Sequence, residues 1–310
     1  MKIVVTLGGN ALLRRGEPLT CDVQKKNIAI AVKALKNIAH EHQLVLGHGN
    51  GPQVGLLALQ NQAFSHEVDP YPFDSLGAQS QAMVGYLFSQ MLGNALPDRE
   101  VVCVITQTEV SPEDPAFQNP TKFIGPVYNS QQAQELAQTH GWLLKQDGNH
   151  YRRVVPSPKP RKIVELESIK LLVEAGKLVI SGGGGGIPVV RKDGQLHGVE
   201  AVIDKDYCGS LLAQALQADY FVMATDVKGV FVNWGTPDQK CIKSAPPQML
   251  LELGFAAGSM GPKVSAACEF ASQPGARAVI GSLDKIEDIV AGKSGTHISS
   301  EFETITYYEN

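Results

Sequence analysis

The sequence predicts an α/β protein, an open αβα sandwich whose largely parallel sheet carries helices on both faces. Three observations predict it. Short β-branched runs alternate with longer helical stretches along the chain. Most of these runs lack apolar–polar alternation, which puts both of their faces in the interior. Glycine clusters follow directly after several of them, where such a sheet opens into its ligand crevice.

Taken in order, strands are expected at 2–6 (KIVVT), 43–46 (QLVL), 101–106 (VVCVIT), 177–181 (KLVIS), 219–224 (DYFVMA) and 277–280 (RAVI). Between the first two, Ile28, Val32, Leu35 and Ala39 recur at helical spacing, with Lys25, Lys33 and Lys36 off that stripe. The Leu and Met side chains of 83–96 read equally as core or as a face for a second subunit. Residues 111–160 break the rhythm with dense proline, which excludes central strands and helix interiors. This stretch still holds Trp142, Tyr151 and a helical segment at 130–139, so it reads as an inserted flap with its own small core. A further boundary is expected near 205–220. Late in the chain Val264, Cys268 and Ala271 form another helical stripe.

Composition narrows the function. The chain has 310 residues, enough for one large or two medium domains. Hydrophobic residues make up 43% and charged residues 19%, which excludes a disordered chain. A net charge of −4 argues against a nucleic-acid protein, which needs a basic surface. No run approaches the ~20 apolar residues of a membrane span. The first residues lack a signal-peptide pattern. The five cysteines include no CxxC pair. A reduced, cytoplasmic chain is expected.

Four glycine clusters stand out: Gly8-Gly9-Asn10, Gly47-His48-Gly49-Asn50-Gly51, Ser181 through Gly186, and Gly258-Ser259-Met260-Gly261 before Pro262-Lys263. Glycines after strands let backbone N–H groups approach an anion, and a following helix N-terminus adds a favourable field. Several such loops at one sheet edge suit a multiply charged ligand such as a triphosphate. Two familiar phosphate motifs fail on spacing. Gly292-Lys293-Ser294 would need glycine at 287, which is Glu287. Gly182 and Gly184 would need glycine at 187, which is Ile187.

Three lysines sit inside glycine, proline or aspartate loops: Lys122, Lys205 and Lys263. Phosphoryl transfer asks for positive charge on the transferring oxygens and for in-line positioning, which converging lysines supply. Asp204 and Asp206 flank Lys205; they read either as groups that orient the lysines or as helix N-terminal caps. His48 reads as a backbone-bonded loop histidine, His40 and His42 lack a third metal ligand, and Cys208 reads as a small buried hydrophobe. Ser157, Lys159 and Arg161 read as a solvated hinge.

On these residues the sequence resembles the carbamate kinases of the amino acid kinase superfamily. The resemblance spans essentially the whole chain. It rests on LGGNALL (Leu7 to Leu13), HGNGPQVGLL (His48 to Leu57), DPAFQNPTK (Asp114 to Lys122), RRVVPSPKP (Arg152 to Pro160), GGGGIPV (Gly183 to Val189), AVIDKD (Ala201 to Asp206) and GSMGPKV (Gly258 to Val264).

The resemblance implies two lobes, 1–210 for the phosphoryl acceptor and 211–310 for the nucleotide, with a flap at about 115–155, paired as a homodimer. It implies the reaction ATP + carbamate = ADP + carbamoyl phosphate, with Mg²⁺ held mainly by phosphates, run toward ATP in arginine metabolism. Carried over, Gly8, Gly9 and Asn10 cradle the transferring phosphoryl group, and Gly49, Asn50 and Gly51 hold carbamate. Lys122, Lys205 and Lys263 act on phosphoryl oxygens, and Asp206 orients the lysines. Asp204, Thr225, Asp226, Trp234, Met260 and Gly261 are expected near the nucleotide.

Two positions depart from the family. Thr6 stands where other amino acid kinases carry lysine, which favours a carbamate kinase with the flap lysine as substitute. Phe123 stands where the flap motif usually has proline, which removes a fixed φ beside Lys122 and implies a softer flap or an altered substrate preference. Two other functions fit the same fold: a kinase for another small acid, and a nucleotide-binding sensor without turnover. The intact set Lys122, Lys205, Asp206 and Lys263 speaks against the sensor.

Overall fold

The computed structural model describes residues 1–14, 16–256 and 260–309. Its centre is a ten-stranded sheet. From edge to edge the strands are Phe231–Val232, Lys240–Ala245, Thr296–Ile298, Arg277–Ser282, Tyr220–Thr225, Lys2–Leu7, Gln43–His48, Leu178–Ile180 and Val101–Cys103; Thr306–Tyr307 pairs with Lys240–Ala245. The run from Arg277–Ser282 to Val101–Cys103 is parallel throughout. The strand Lys2–Leu7 joins the two halves, pairing with Gln43–His48 on one side and Tyr220–Thr225 on the other.

Both faces of this sheet are buried, as the unalternating runs predict. Ile3, Val5, Leu7, Val222 and Val279 pack on one side against helices Cys21–Glu41 and Phe73–Ala95. Val4, Val45, Phe221, Met223 and Ile280 pack on the other against Leu166–Glu174, Lys205–Ala215 and Met260–Ala271. The stripes Ile28/Val32/Leu35/Ala39 and Val264/Cys268/Ala271 are buried there. Within 83–96, Leu87, Leu92 and Leu96 belong to the core, whereas Met83 is exposed beside Tyr86.

Of the expected strand 101–106 only Val101–Cys103 is strand, and the chain then passes into a second sheet. Val101–Cys103 ends the main sheet, and Gln107–Val110 enters a four-stranded sheet with Pro160–Ile163, Ile187–Lys192 and Gln195–Gly198. Thr106 marks the break. Its backbone N–H donates to Gln81 Oε1 at 2.6 Å, and its hydroxyl donates to the Val104 carbonyl at 2.8 Å. Side chains thus satisfy buried backbone where the sheet ladder stops.

The flap is a three-stranded antiparallel sheet, Lys122–Tyr128, His150–Val155 and Leu144–Asp147, with the helix Ser130–His140. Asn129 caps that helix with a reciprocal bond to Gln132, and Gly141 ends it in the left-handed conformation. Pro126 sits in an edge strand, at an irregularity in its pairing. The core beneath the flap is shared, not its own. Ile124 and Val155 bury against Val54, Ala58, Phe73 and Leu76 of the body helices Gly51–Ala63 and Phe73–Ala95.

Candidate functional site

The loops at the carboxyl ends of the parallel strands open into a cleft of about 1660 Å³. Its floor includes Gly8, Gly9, Lys205, Asp206 and Lys263; Lys122 and Phe123 come from the flap, and Thr225, Asp226, Ser282 and Asp284 from the C-terminal half. The sheet geometry explains the convergence. Leu7, Ala224 and Ser282 lie at the same end of neighbouring parallel strands, so the loops that follow share one edge.

Asp206 organises the floor. It lies in the first turn of helix Lys205–Ala215, whose cap is Asp204; Asp204 Oδ1 accepts from the Asp206 N–H at 2.9 Å. Lys205 Nζ is 2.9 Å from Asp206 Oδ1, and Lys263 Nζ is 2.7 Å from Asp206 Oδ2. The Thr6 hydroxyl donates to Asp206 Oδ1 at 3.3 Å. Lys122 Nζ reaches from the flap to Asp204 Oδ2 at 2.5 Å. Asp204 thus caps the helix and pairs with Lys122, and Asp206 pairs with the other two lysines.

The charges are strongly coupled. Burial disfavours a charged Asp206, but the two ammonium groups outweigh it and hold its carboxyl far below the usual carboxylate range. Burial also disfavours a charged Asp204, and Lys122 overrides it, leaving that carboxyl lowered. Burial brings Lys205 down to about 8 against the pull of Asp206. Lys263 is desolvated too, but Asp206 prevails and raises it. Two ammonium groups on one carboxylate leave an excess positive charge facing the cleft, which suits phosphoryl oxygens.

The second glycine loop lies against this floor. A Cβ on Gly49 would sit 3.4 Å from both the Gly9 nitrogen and Lys205 Cδ. The Gly49 N–H donates to the Leu7 carbonyl at 3.0 Å and the Gly8 N–H to the Ala224 carbonyl at 3.1 Å, so these two amides shape the loops. Asn50 is buried and donates from Nδ2 to Ser80 Oγ at 2.7 Å. Gly51 begins helix Gly51–Ala63, with Pro52 in its first turn. His48 is fully buried, stacks on Phe88 at 6.0 Å and bonds the Gly49 carbonyl through Nδ1 at 3.0 Å; burial lowers it to about 4, so it stays neutral at neutral pH. Asn10 lies in the short turn Gly9–Ala11; its side chain lies outside the described positions.

The third glycine run lies behind the second loop. Gly182 to Gly186 are buried and absent from the cleft walls. They pack backbone against the side chains behind the second loop. Gly184 has φ +66°, and a Cβ there would overlap the Asn50 side chain. The close approach that the glycines permit is made here to protein side chains. In the fourth cluster Gly258 and Ser259 lie outside the described residues.

Some expected nucleotide residues are on the cleft wall and others are not. Asp204, Thr225 and Asp226 line it. Met260, Gly261 and Trp234 do not; Trp234 is exposed and packs edge-on against Phe231 at 4.9 Å. The hinge expected at Ser157 and Lys159 is part of the wall: Lys159 Nζ is 2.8 Å from Glu269 and lies over the Tyr207 ring. Phe123 faces the cleft beside Arg152, whose guanidinium stands 5.7 Å from its ring and donates to the Gly125 carbonyl. His40 and His42 line a separate cavity of about 910 Å³ at the opposite end of the sheet.

Sequence reasoning missed Ser80, which holds Asn50, and the wall residues Arg14, Asn27 and Ile30. Only Ile30 left a trace, as an exposed apolar residue beside a buried stripe.

Comparison with known proteins gives the family. A family model described as the amino acid kinase family matches residues 1–282. A carbamate kinase of Haemophilus influenzae is 54% identical, over 99% of this chain and 100% of its own length. A carbamate kinase from Giardia lamblia bound to citric acid superposes with a TM-score of 0.91 at 42% identity, covering 96% of this chain and 98% of that one. The same enzyme bound to AMP-PNP gives a TM-score of 0.88 over the same shares. A full-length match at this identity, around a cleft floored by paired lysines, means that the chain belongs to the amino acid kinase family and, within it, to the carbamate kinases.

Proposed function

We propose the following division of labour for the carbamate kinase reaction, reversible phosphoryl transfer between ATP and carbamate. The observation that carries it is the Asp206 carboxylate set between Lys205 and Lys263, with Lys122 held beside it by Asp204. The transferring phosphoryl group lies over Gly8 and Gly9. Lys205 and Lys263 stabilise charge on its oxygens, and Asp206 fixes their spacing. Lys122 completes the cationic set from the flap, in the role that a lysine at the Thr6 position fills elsewhere in the family. Thr6 instead donates a neutral hydrogen bond to Asp206.

Carbamate is held at Gly49, Asn50 and Gly51, where the N-terminus of a 13-residue helix favours an anion. Carbamate carries its own negative charge, so no general base is assigned, and neutral His48 is left a structural part. The 1–210 half binds the acceptor, the flap at about 115–155 closes over it, and the 211–310 half binds ATP or ADP through the wall at Thr225 and Asp226.

Magnesium fits this cleft as an ion carried by the phosphates. Asp204 and Asp206 are engaged with lysines; Asp226 and Asp284, which accept from the Thr225 and Ser282 hydroxyls, are the carboxylates of the nucleotide-side wall that would add one or two ligands. When bound, it neutralises charge shared between phosphates. The same reading has the chain as a cytoplasmic homodimer, with exposed Met83 and Tyr86 available to a second subunit, working toward ATP from carbamoyl phosphate in arginine metabolism.

The test is a coupled assay with carbamoyl phosphate, ADP and Mg²⁺, reading ATP. Wild type forms ATP, and a folded Lys263→Ala variant loses about 10²-fold or more in kcat. Full activity in that variant removes Lys263 from the mechanism.

A further inference from the structure

The motif Arg152-Arg153 supplies two consecutive arginines that the reaction as derived leaves without a task. On a strand, neighbours point to opposite faces. Arg152 lines the cleft. Arg153 points the other way, into the seam between flap and body. Its guanidinium carbon lies 4.7 Å from the Phe73 ring centroid and 4.2 Å from the Trp142 ring centroid. Phe73 opens the body helix Phe73–Ala95, and Trp142 belongs to the flap. One cation is therefore held by an aromatic ring from each side of the seam.

The rest of the seam is apolar and close-packed, apart from the Lys122–Asp204 pair. Ile124 and Val155 are the flap residues in the shared core. Gly55 of helix Gly51–Ala63 meets Gly125 of the flap strand backbone to backbone; a Cβ on Gly55 would collide with Gly125 Cα. This contact sets how closely the flap can approach. The Phe73 N–H in turn donates to Glu200 Oε1 at 3.2 Å. Burial lowers the Arg153 pKa to about 10, with Glu200 and Tyr128 opposing the drop, so the guanidinium stays charged at neutral pH.

Arg153 pairs across the strands two residues from the flap lysine. Arg153 stands opposite Ile124, and Val155 stands opposite Lys122. Lys122 begins its strand, and among the described residues its ion-pair partner is Asp204. A shift in flap seating thus moves Lys122 directly relative to Asp204 and the phosphoryl position.

We propose that Arg153 is a positioning residue that seats the flap through its Phe73–Trp142 sandwich and so places Lys122 over the site. The proposal rests on the reading of Lys122 as part of the cationic set. Effects of this kind are steep, since a misplacement of about 1 Å can lower a rate by about 10²-fold.

The experiment is a double-mutant cycle on kcat with Arg153→Gln, Lys122→Ala and the pair, with ADP affinity and melting temperature measured on each. Arg153→Gln is expected to lower kcat by roughly 10- to 100-fold and to leave ADP affinity within about twofold. In the Lys122→Ala background the same change is expected to lower kcat by less than about twofold, because its route is already gone. Arg153→Lys, which keeps a cation between the rings, recovers part of the loss. If Arg153→Gln does not fold, Trp142→Leu replaces it in the cycle, since it removes only the flap-side ring. Multiplicative losses in the cycle overturn the proposal, as does unchanged kcat in both the Arg153 and Trp142 variants. Full activity in Lys122→Ala alone overturns instead the reading of Lys122.

Discussion

Lys122 and Asp204 are 82 residues apart in sequence and 2.5 Å apart in space. This pair ties the flap to the helix that carries Lys205 and Asp206. It also gives Asp204 two tasks on separate oxygens: Oδ1 caps the helix and Oδ2 holds the flap lysine.

Asparagine caps a helix about as well as aspartate does. Asp204→Asn should therefore keep the fold while removing the charge that holds Lys122. We expect kcat to fall by about 10-fold or more, yet by less than the ~10²–10³ expected for deleting a lysine that contacts the phosphoryl group. Steady-state kinetics beside a thermal melt separate the two tasks. Unchanged kcat in the folded variant would mean that the cap is all that Asp204 supplies.

Asp206 should govern stability as well as rate. Asp206→Ala leaves Lys205 and Lys263 facing each other without their shared partner. Removing one member of a buried ion pair typically costs about 3–5 kcal/mol. Denaturant unfolding should show Asp206→Ala to be less stable than Lys263→Ala, which relieves charge crowding as it breaks a pair. Equal stability of the two variants would contradict the coupling drawn for this cluster.

Lys205 sets an alkaline limit on activity. Its pKa lies at about 8 in the substrate-free cleft, chiefly through burial. As pH rises through that value the ammonium loses its proton, and the charge needed on phosphoryl oxygens goes with it. The profile of kcat/KM should fall above pH 8. Bound phosphate favours the protonated form, so the corresponding limb in kcat should lie higher. Lys205→Arg keeps its charge at every pH in that range and should abolish the limb, whatever its absolute rate.

Gly184 is expected to act on the acceptor alone. Alanine there meets both a left-handed backbone at φ +66° and the Asn50 side chain. Displacing Asn50 from Ser80 should raise KM for carbamate severalfold while ADP affinity holds, by direct titration. A matched loss of both affinities would point to general loosening of the fold.

How much was legible in advance follows from the range of each interaction. The strand runs at 2–6, 43–46, 219–224 and 277–280 were readable because burial on both faces writes itself into consecutive apolar residues. The strand at 101–106 was misread because Val104 and Ile105 continue its β-branched pattern. Where the sheet ends, the Thr106 N–H donates to the side chain of Gln81, 25 residues earlier.

The sequence by itself determined the fold class, the cleft-forming glycine loops and the identity of the charged groups, since these depend on local composition and spacing. Only the tertiary structure decided which charges meet. Asp206 takes Lys263 from 57 residues away, Lys122 takes Asp204, and Arg153 lies between Phe73 and Trp142. It also decided that the longest glycine run packs against Asn50 and His48. Electrostatic and packing energies depend on distance in space and on burial, and a linear chain carries no local record of either.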